Sequence, residues 1–140
     1  MQIGLMRAGL AGLTIVLLAA CAGNSQMLRE REQALDHWEA LVRWNQFDAL
    51  VDMIHPEWLA ENPVPALDLE RLRQFRVTQY RVRHMLSDPE DLSLERAVEI
   101  RLYHVHSAHE RIINHREVWR FDSDLDRWLM HSGLPDPLQN

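Results

Sequence analysis

The spacing of apolar residues changes once along this chain, and the change constrains the fold more than any other feature. Before residue 74, apolar side chains recur at the period of an amphipathic helix. After residue 74, they alternate with polar side chains, as in a half-buried strand. Helices followed by consecutive strands are typical of an α+β fold whose helices cover one face of an antiparallel sheet.

The first part of the pattern predicts two or three helices. Residues 26–44 form the first, and residues 67–74 form a short last one. Asn45 is the predicted N-cap of a helix between them, which Pro56 ends. The apolar stripe of the first helix consists of Ala34, Leu35, Trp38, Leu41 and Val42.

The second part predicts a four-stranded antiparallel meander. Its strands are expected over residues 75–86, 95–107, 111–121 and 127–132. In the first strand, alternation places Tyr80, Val82 and Leu86 on one face. The sequence therefore predicts N-terminal helices packed on a curved four-stranded antiparallel sheet.

A single cysteine ends the string Leu18-Ala19-Ala20-Cys21. Before it lie one basic residue, Arg7, and an apolar run without any acidic residue, the pattern of a secretory signal. The run is too short to span a bilayer, which takes about 20 apolar residues. The ending resembles the lipobox of bacterial lipoproteins, and this resemblance implies cleavage before Cys21 and acylation of its thiol and new amino group.

This resemblance predicts how the chain is organised. Residues 1–20 are the signal peptide, residues 21–26 are a short tether, and residues 27–140 form a single α+β domain. Ala22 follows the cysteine in place of the aspartate that retains such proteins in the inner membrane, which favours the periplasmic face of the outer membrane. Two or more acyl chains give stable anchoring.

The composition of the mature chain excludes one class of partner. The 15 basic residues are all arginine, and loss of Arg7 leaves 14 arginines against 21 acidic residues, a net charge of −7. A dedicated nucleic-acid binder needs a basic field, so we expect no nucleic-acid partner. This net charge also gives little attraction to anionic lipid, so we expect the acyl anchor to supply the membrane binding.

The order of elements and the placement of aromatic residues resemble the nuclear transport factor 2-like superfamily over about residues 30–135. The similarity lies in a long first helix, the segment Ile54-His55-Pro56-Glu57, and the strands carrying Val118-Trp119-Arg120-Phe121 and Arg127-Trp128-Leu129. It implies a cone-shaped fold. Members include isomerases and cyclases with an Asp or His base in the cone, and also non-catalytic binding or dimerisation modules.

Glu117 is the strongest candidate for acid–base chemistry. With a turn centred between Ala108 and His109, Ile100 pairs with Glu117, and Leu102 with His115. This register places a carboxylate and an imidazole on an otherwise apolar inner face, where Tyr80 of the first strand joins them. Such groups could serve acid–base catalysis or form a structural ion pair, and the sequence leaves both open.

Two further patterns contain metal-ligating side chains. His104 and His106 are expected on one side of a strand, where two imidazoles could hold one metal ion, with His109 beyond the turn as a third ligand. A strand end in solvent explains them better. Asp122-x-Asp124-x-Asp126 copies the start of a calcium loop but lacks its glycine and its final glutamate, so turn formation is the better interpretation. We therefore expect no metal and no cofactor.

Five tryptophans are many for this length. Most are expected in the core, whereas Trp44 or Trp58 is expected at a pocket or partner surface. The predicted function is a lipid-anchored, non-catalytic binding module of the envelope, taking a protein partner or a small apolar ligand. The sequence also leaves open a homodimer and a small isomerase- or cyclase-type enzyme.

Overall fold

The computed structural model describes the backbone of residues 6–90 and 92–139, and the side chains of residue 23 and of residues 25–90 and 92–139. The lipobox side chains, Cys21 included, lie outside these described residues, so lipidation stays a prediction. The chain divides into two compact units, residues 1–33 and residues 34–140. No helix among the described residues combines the length and apolarity needed to cross a membrane.

The first helix, α1, spans Met6–Arg43. It contains the helix predicted from residue 26 and also the residues of the predicted tether. Within the first unit, the Gln26 side chain donates a hydrogen bond to Glu30 Oε1 at 2.9 Å. Within the second unit, Leu35, Trp38, Leu41 and Val42 are buried, which confirms the predicted stripe.

Asn45 does not cap the next helix, so that prediction was wrong. Its φ of 59° lies in the left-handed region, which asparagine tolerates better than most residues just after a helix ends. Its side-chain oxygen accepts a hydrogen bond from the Val77 backbone N–H at 2.8 Å. Asn45 therefore ends α1 and fixes the helix end to the sheet.

Three short helices follow α1. They are α2 at Phe47–Leu50, which continues as a 3-10 turn over Val51–Met53, α3 at Pro56–Glu61, and α4 at Ala66–Leu72. The sequence prediction missed α3, because Pro56 begins this helix, whereas the preceding helical segment already ends at Met53. Proline is favoured at the first helical position, where its missing N–H costs no hydrogen bond.

The sheet contains four antiparallel strands in sequential order. They are β1 at Phe75–Asp88, β2 at Ser93–His104, β3 at Glu110–Asp122 and β4 at Arg127–Met130. The predicted α+β class and the meander are confirmed. The similarity to the nuclear transport factor 2-like superfamily is a finer prediction that this layout does not test.

The register between β2 and β3 differs from the predicted one. Ile100 pairs with Ile113 rather than Glu117, and Arg96 is the residue opposite Glu117. The hairpin is centred between His106 and Ser107, because β2 ends at His104 rather than Ser107. The slip is an even number of residues, so Glu117 still faces inward while its cross-strand partner changes.

Helix α1 covers the inner face of the sheet through Trp38. The Trp38 ring meets Trp119 edge to face, with centroids 5.6 Å apart, and both side chains are fully buried. The predicted shared face of β1 holds for Tyr80 and Val82 but is wrong for Leu86, because the register shift between Val82 and His84 turns Leu86 to the other face. Tyr80 is buried, whereas every residue over 81–88 is exposed.

Candidate functional site

The inner face of the sheet holds a buried cluster of polar side chains centred on Glu117. Glu117 has no exposed surface, and Arg96, directly opposite on β2, is only 5% exposed. Tyr80 reaches them from β1 and is also buried. Strands β1, β2 and β3 thus each contribute one polar side chain to the cluster.

The hydrogen bonds within this cluster form a closed network. Arg96 Nε donates to Glu117 Oε2 at 2.8 Å, and Arg96 Nη2 lies 2.6 Å from the same oxygen. Arg96 Nη2 also donates to the Tyr80 hydroxyl at 2.8 Å, and this hydroxyl donates to Glu117 Oε1. Trp119 Nε1 donates to Glu117 Oε2 at 3.3 Å. Both carboxylate oxygens are therefore engaged.

Electrostatics keep the tyrosine in its neutral form. Burial raises the pKa of Tyr80, and the negative charge of Glu117 raises it further. The hydroxyl therefore retains its proton and serves as a donor to the carboxylate. The guanidinium of Arg96 also lies 5.8 Å from the centroid of the Tyr80 ring, within the range of a cation–π contact.

His115 shares the inner face but not this network. Its ring stacks on Trp38 with centroids 6.4 Å apart, and its buried Nε2 has no hydrogen-bond partner among the described residues. Burial lowers the pKa of His115, so the ring stays neutral. The structure thus joins Tyr80 and Glu117, as predicted, but places His115 against the helix.

Arg96 is the member of the cluster that the sequence prediction missed. The buried positions of β2 alternate from Leu102 back through Ile100 and Val98 to Arg96. Alternation places Arg96 on the same buried face as Glu117, where charges are almost always paired.

The candidate metal-binding histidines lie at the end of the β2–β3 hairpin. His104 Nε2 bonds to Gln74 Oε1 at 3.1 Å, and His104 Nδ1 accepts from the His106 backbone N–H at 3.2 Å. The side chain of His109 is exposed beyond the turn. Within the described residues, no group of three or more His, Cys, Asp or Glu side chains could hold a metal ion.

A second histidine cluster joins α3 to the last two strands. His55 Nε2 donates to Asp122 Oδ2 at 2.7 Å, while His55 Nδ1 accepts from the Glu57 backbone N–H at 3.2 Å and caps α3. This pair of bonds requires the neutral ring with its proton on Nε2. His131 stacks on His55 with centroids 4.5 Å apart. Sequence reasoning did not single out either histidine.

The aspartate-rich segment forms the β3–β4 turn, as the sequence predicted. Asp122 Oδ1 accepts hydrogen bonds from the backbone N–H groups of Asp124 and Leu125, at 2.9 Å and 2.8 Å. Those bonds lower the pKa of Asp122, with the Leu125 bond as the largest cause. The carboxylate is therefore occupied by its own turn and by His55.

Two tryptophans lie at the surface positions expected of binding residues. Trp58 lines an open groove of about 570 Å³ between the α3–α4 loop and the C-terminal segment. Other residues lining it are Pro63, Pro65, Leu134 and Pro137. Trp44 is 76% exposed at the end of α1.

Comparison with known proteins supports the fold alone. No family model matches this chain, and no curated protein matches it. A solved structure is similar, that of a SEC-C motif-containing protein from Rhodopseudomonas palustris determined in solution. The TM-score is 0.53 at 15% sequence identity, and the match covers 69% of this chain and 71% of that chain. It indicates no nuclear transport factor 2-like family, so that assignment stays a prediction.

Proposed function

We propose that this chain is a lipid-anchored protein of the bacterial envelope whose folded unit binds a partner or a small apolar ligand rather than catalysing a reaction. The observation that carries the non-catalytic part is the state of Glu117. This carboxylate is the strongest acid–base candidate in the chain, yet it has no exposed surface, and both of its oxygens are engaged.

A general base must reach the proton that it removes from a substrate. Arg96 and Trp119 occupy one oxygen of Glu117, and Tyr80 occupies the other. A substrate would have to displace these donors and open the core between α1 and the sheet. The cluster is better explained as an ion pair that fixes the register of three strands.

The lipid anchor is supported by the string Leu18-Ala19-Ala20-Cys21 and by Cys21 being the only cysteine of the chain. Without other thiols the mature chain has no disulfide, and its core must hold it together in an oxidising compartment. Ala22 after the cysteine favours the outer membrane. The finer fold that we propose is the nuclear transport factor 2-like cone, supported by helices preceding a sequential meander.

Substitution of Cys21 tests the anchor. We expect Cys21→Ser to abolish incorporation of labelled palmitate and to move the protein out of the outer-membrane fraction, since serine offers no thiol for lipid transfer. Ala22→Ser, which keeps the thiol, is the matched control and should behave like the unmodified sequence. Ala22→Asp should move the lipidated protein to the inner membrane. A Cys21→Ser protein that is still processed and still bound to the outer membrane would refute the anchor.

The alternative is a small isomerase or cyclase that uses Glu117 and His115. The unpartnered Nε2 of His115 is the observation in its favour. Soaking or titration with an apolar ligand that displaces Arg96 from Glu117 would support this alternative. Without such opening, the inner face has no accessible acid–base pair.

A further inference from the structure

One edge of the sheet carries exposed apolar and basic side chains together. Trp44 is 76% exposed, and Val82, Met85 and Leu86 of the edge strand β1 are 38%, 54% and 72% exposed. Arg81 and Arg83 lie between them along the strand. We call these six residues the β1 edge strip. Exposed apolar patches with a polar rim mark interaction sites.

The strip follows the free edge of β1 and presents side chains from both faces of the strand, since Met85 pairs with inward-facing Arg96 and Leu86 pairs with Glu95. Arg43, Trp44, Val77 and Thr78 enclose a hollow of about 230 Å³ at its start. Arg43 Nη2 donates to the Tyr80 carbonyl at 2.9 Å, so the end of α1 is fixed beside the first half of β1. The second half, residues 81–88, is left exposed over a length of about 25 Å at 3.3 Å per residue.

The charge of β1 is opposite to that of the whole chain. The strand contains Arg76, Arg81, Arg83 and His84, and its one acidic residue is Asp88 at the end. Arg83 forms an ion pair with Glu99 of β2, and Arg81 lies opposite the same Glu99 in the register, so one glutamate faces two arginines. A locally basic edge on an acidic protein is complementary to an anionic surface.

We propose that the β1 edge strip docks on the anionic bilayer surface that holds the lipid anchor. This inference rests on the proposed function, which places that membrane next to the folded unit. Tryptophan favours the headgroup level of a bilayer, where its ring is buried and its N–H stays hydrated. Apolar side chains beside arginines suit the same boundary, and each arginine near an anionic surface strengthens binding about five-fold.

The test measures how closely Trp44 approaches lipid in the anchored protein. The mature lipoprotein is reconstituted into vesicles of phosphatidylcholine with phosphatidylglycerol, or of phosphatidylcholine alone, each containing a lipid with a nitroxide headgroup. The difference in quenching between the unmodified protein and Trp44→Phe isolates the Trp44 fluorescence. We expect Trp44 to be quenched in the anionic vesicles, and the quenching to weaken in neutral vesicles and at high salt.

Matched variants separate the strip from general changes in charge or apolar surface. Arg81→Glu should lower the docked-to-free ratio at least five-fold, whereas Arg127→Glu on β4 should not. Met85→Ser with Leu86→Ser should also weaken quenching, whereas Ile112→Ser, which is 50% exposed on β3, should not. Unchanged melting temperatures would show that these exposed substitutions leave the fold intact.

Flotation with the vesicles reports the anchor separately from the strip. A protein that floats but whose Trp44 is reached by iodide and not by the nitroxide lipid has its strip in water, which would overturn the docking proposal alone. Shielding of Trp44 from both quenchers would mean that a protein surface covers the strip, and it would overturn the proposal as well. Loss of flotation in the unmodified protein would contradict the anchor itself.

Discussion

Arg96 and Glu117 cross-link two strands inside the core, and each leaves a buried charge if the other is removed. Loss of one partner from a buried ion pair costs about 3–5 kcal/mol, although the intact pair adds little over an apolar pair. We expect Arg96→Met to lower the free energy of unfolding by about that amount in urea titrations. The double variant Arg96→Met with Glu117→Leu should lose less.

Arg116→Met is the matched control for this substitution. Arg116 also bonds to a glutamate across the same two strands, but both side chains of that pair are exposed. Its loss should lower stability far less than the loss of Arg96, because water replaces the exposed pair. Equal losses for the two arginines would show that the inner network does not stabilise the fold.

Trp119 stabilises the core through its buried apolar surface and its contacts with Trp38 and Glu117. It is fully buried, meets Trp38 edge to face and donates to Glu117. We expect Trp119→Ala to lower the free energy of unfolding by about 3–5 kcal/mol, the range for deleting a large buried aromatic. A loss under about 1 kcal/mol in a urea melt would place this side chain in solvent and refute the core as described.

For single residues, the sequence predicted the buried face correctly where polar and apolar side chains alternate regularly along a strand. The predicted register placed Glu117 on the inner face, and the structure confirms this face, although the residue opposite is Arg96 rather than Ile100. Arg96 was missed, because a charged residue before an apolar run is ordinarily taken as exposed. The chemical role of Glu117 depends on Arg96. A buried carboxylate without partners could act as a base, whereas one whose oxygens both accept hydrogen bonds cannot reach a substrate.

For the helices and strands, the spacing of apolar residues predicted which elements form and in what order. The residues at which they begin and end depend on turn and capping interactions that this spacing does not show. The four strands followed from alternation, but the β2–β3 turn lay two residues earlier than expected. Residues 104–109, which connect the two strands, contain no glycine or proline that would mark the position of the turn. Likewise, the helical segment before Pro56 ends at Met53, and Pro56 begins the next one. The His55 side chain that caps this helix is not among the usual capping residues.

The free energy of unfolding should depend on pH, because the structure holds two histidines, His131 and His115, in environments that lower their pKa. Burial lowers the pKa of His131, and His55, Arg120, Asp122 and Glu57 are the charged or titratable groups that act on it. Burial also lowers the pKa of His115. Both histidines bind protons more weakly in the folded state than in the unfolded state, whose pKa is about 6.5.

The unfolded state therefore gains protons first as the pH falls, and stability is lost below about pH 6.5. We expect the free energy of unfolding to decrease from about pH 7.5 to about pH 5 in urea titrations. His131→Phe, which keeps a ring against His55, should remove part of this decrease. His37→Gln, at an exposed position of α1, should leave the profile unchanged. A flat profile for the unmodified protein would contradict the burial of these rings.

The whole molecule combines an acidic surface, a closed core and an edge that is locally basic. Its net charge predicted little attraction to anionic lipid, but composition does not show that three arginines and a histidine lie together on β1. The solved structure from Rhodopseudomonas palustris supports the α+β fold over about two thirds of the chain and carries no activity to it. The proposed function therefore rests mainly on the predicted N-terminal signal.

Intact-mass analysis of the protein extracted from cell envelopes tests the proposed lipid anchor. We expect a chain that begins at Cys21, lacks residues 1–20 and carries the mass of a diacylglyceryl group and an additional acyl chain. The Cys21→Ser protein serves as the reference without lipid. A protein that retains Met1, or one that begins at Cys21 without added lipid mass, would contradict the proposed lipid anchor.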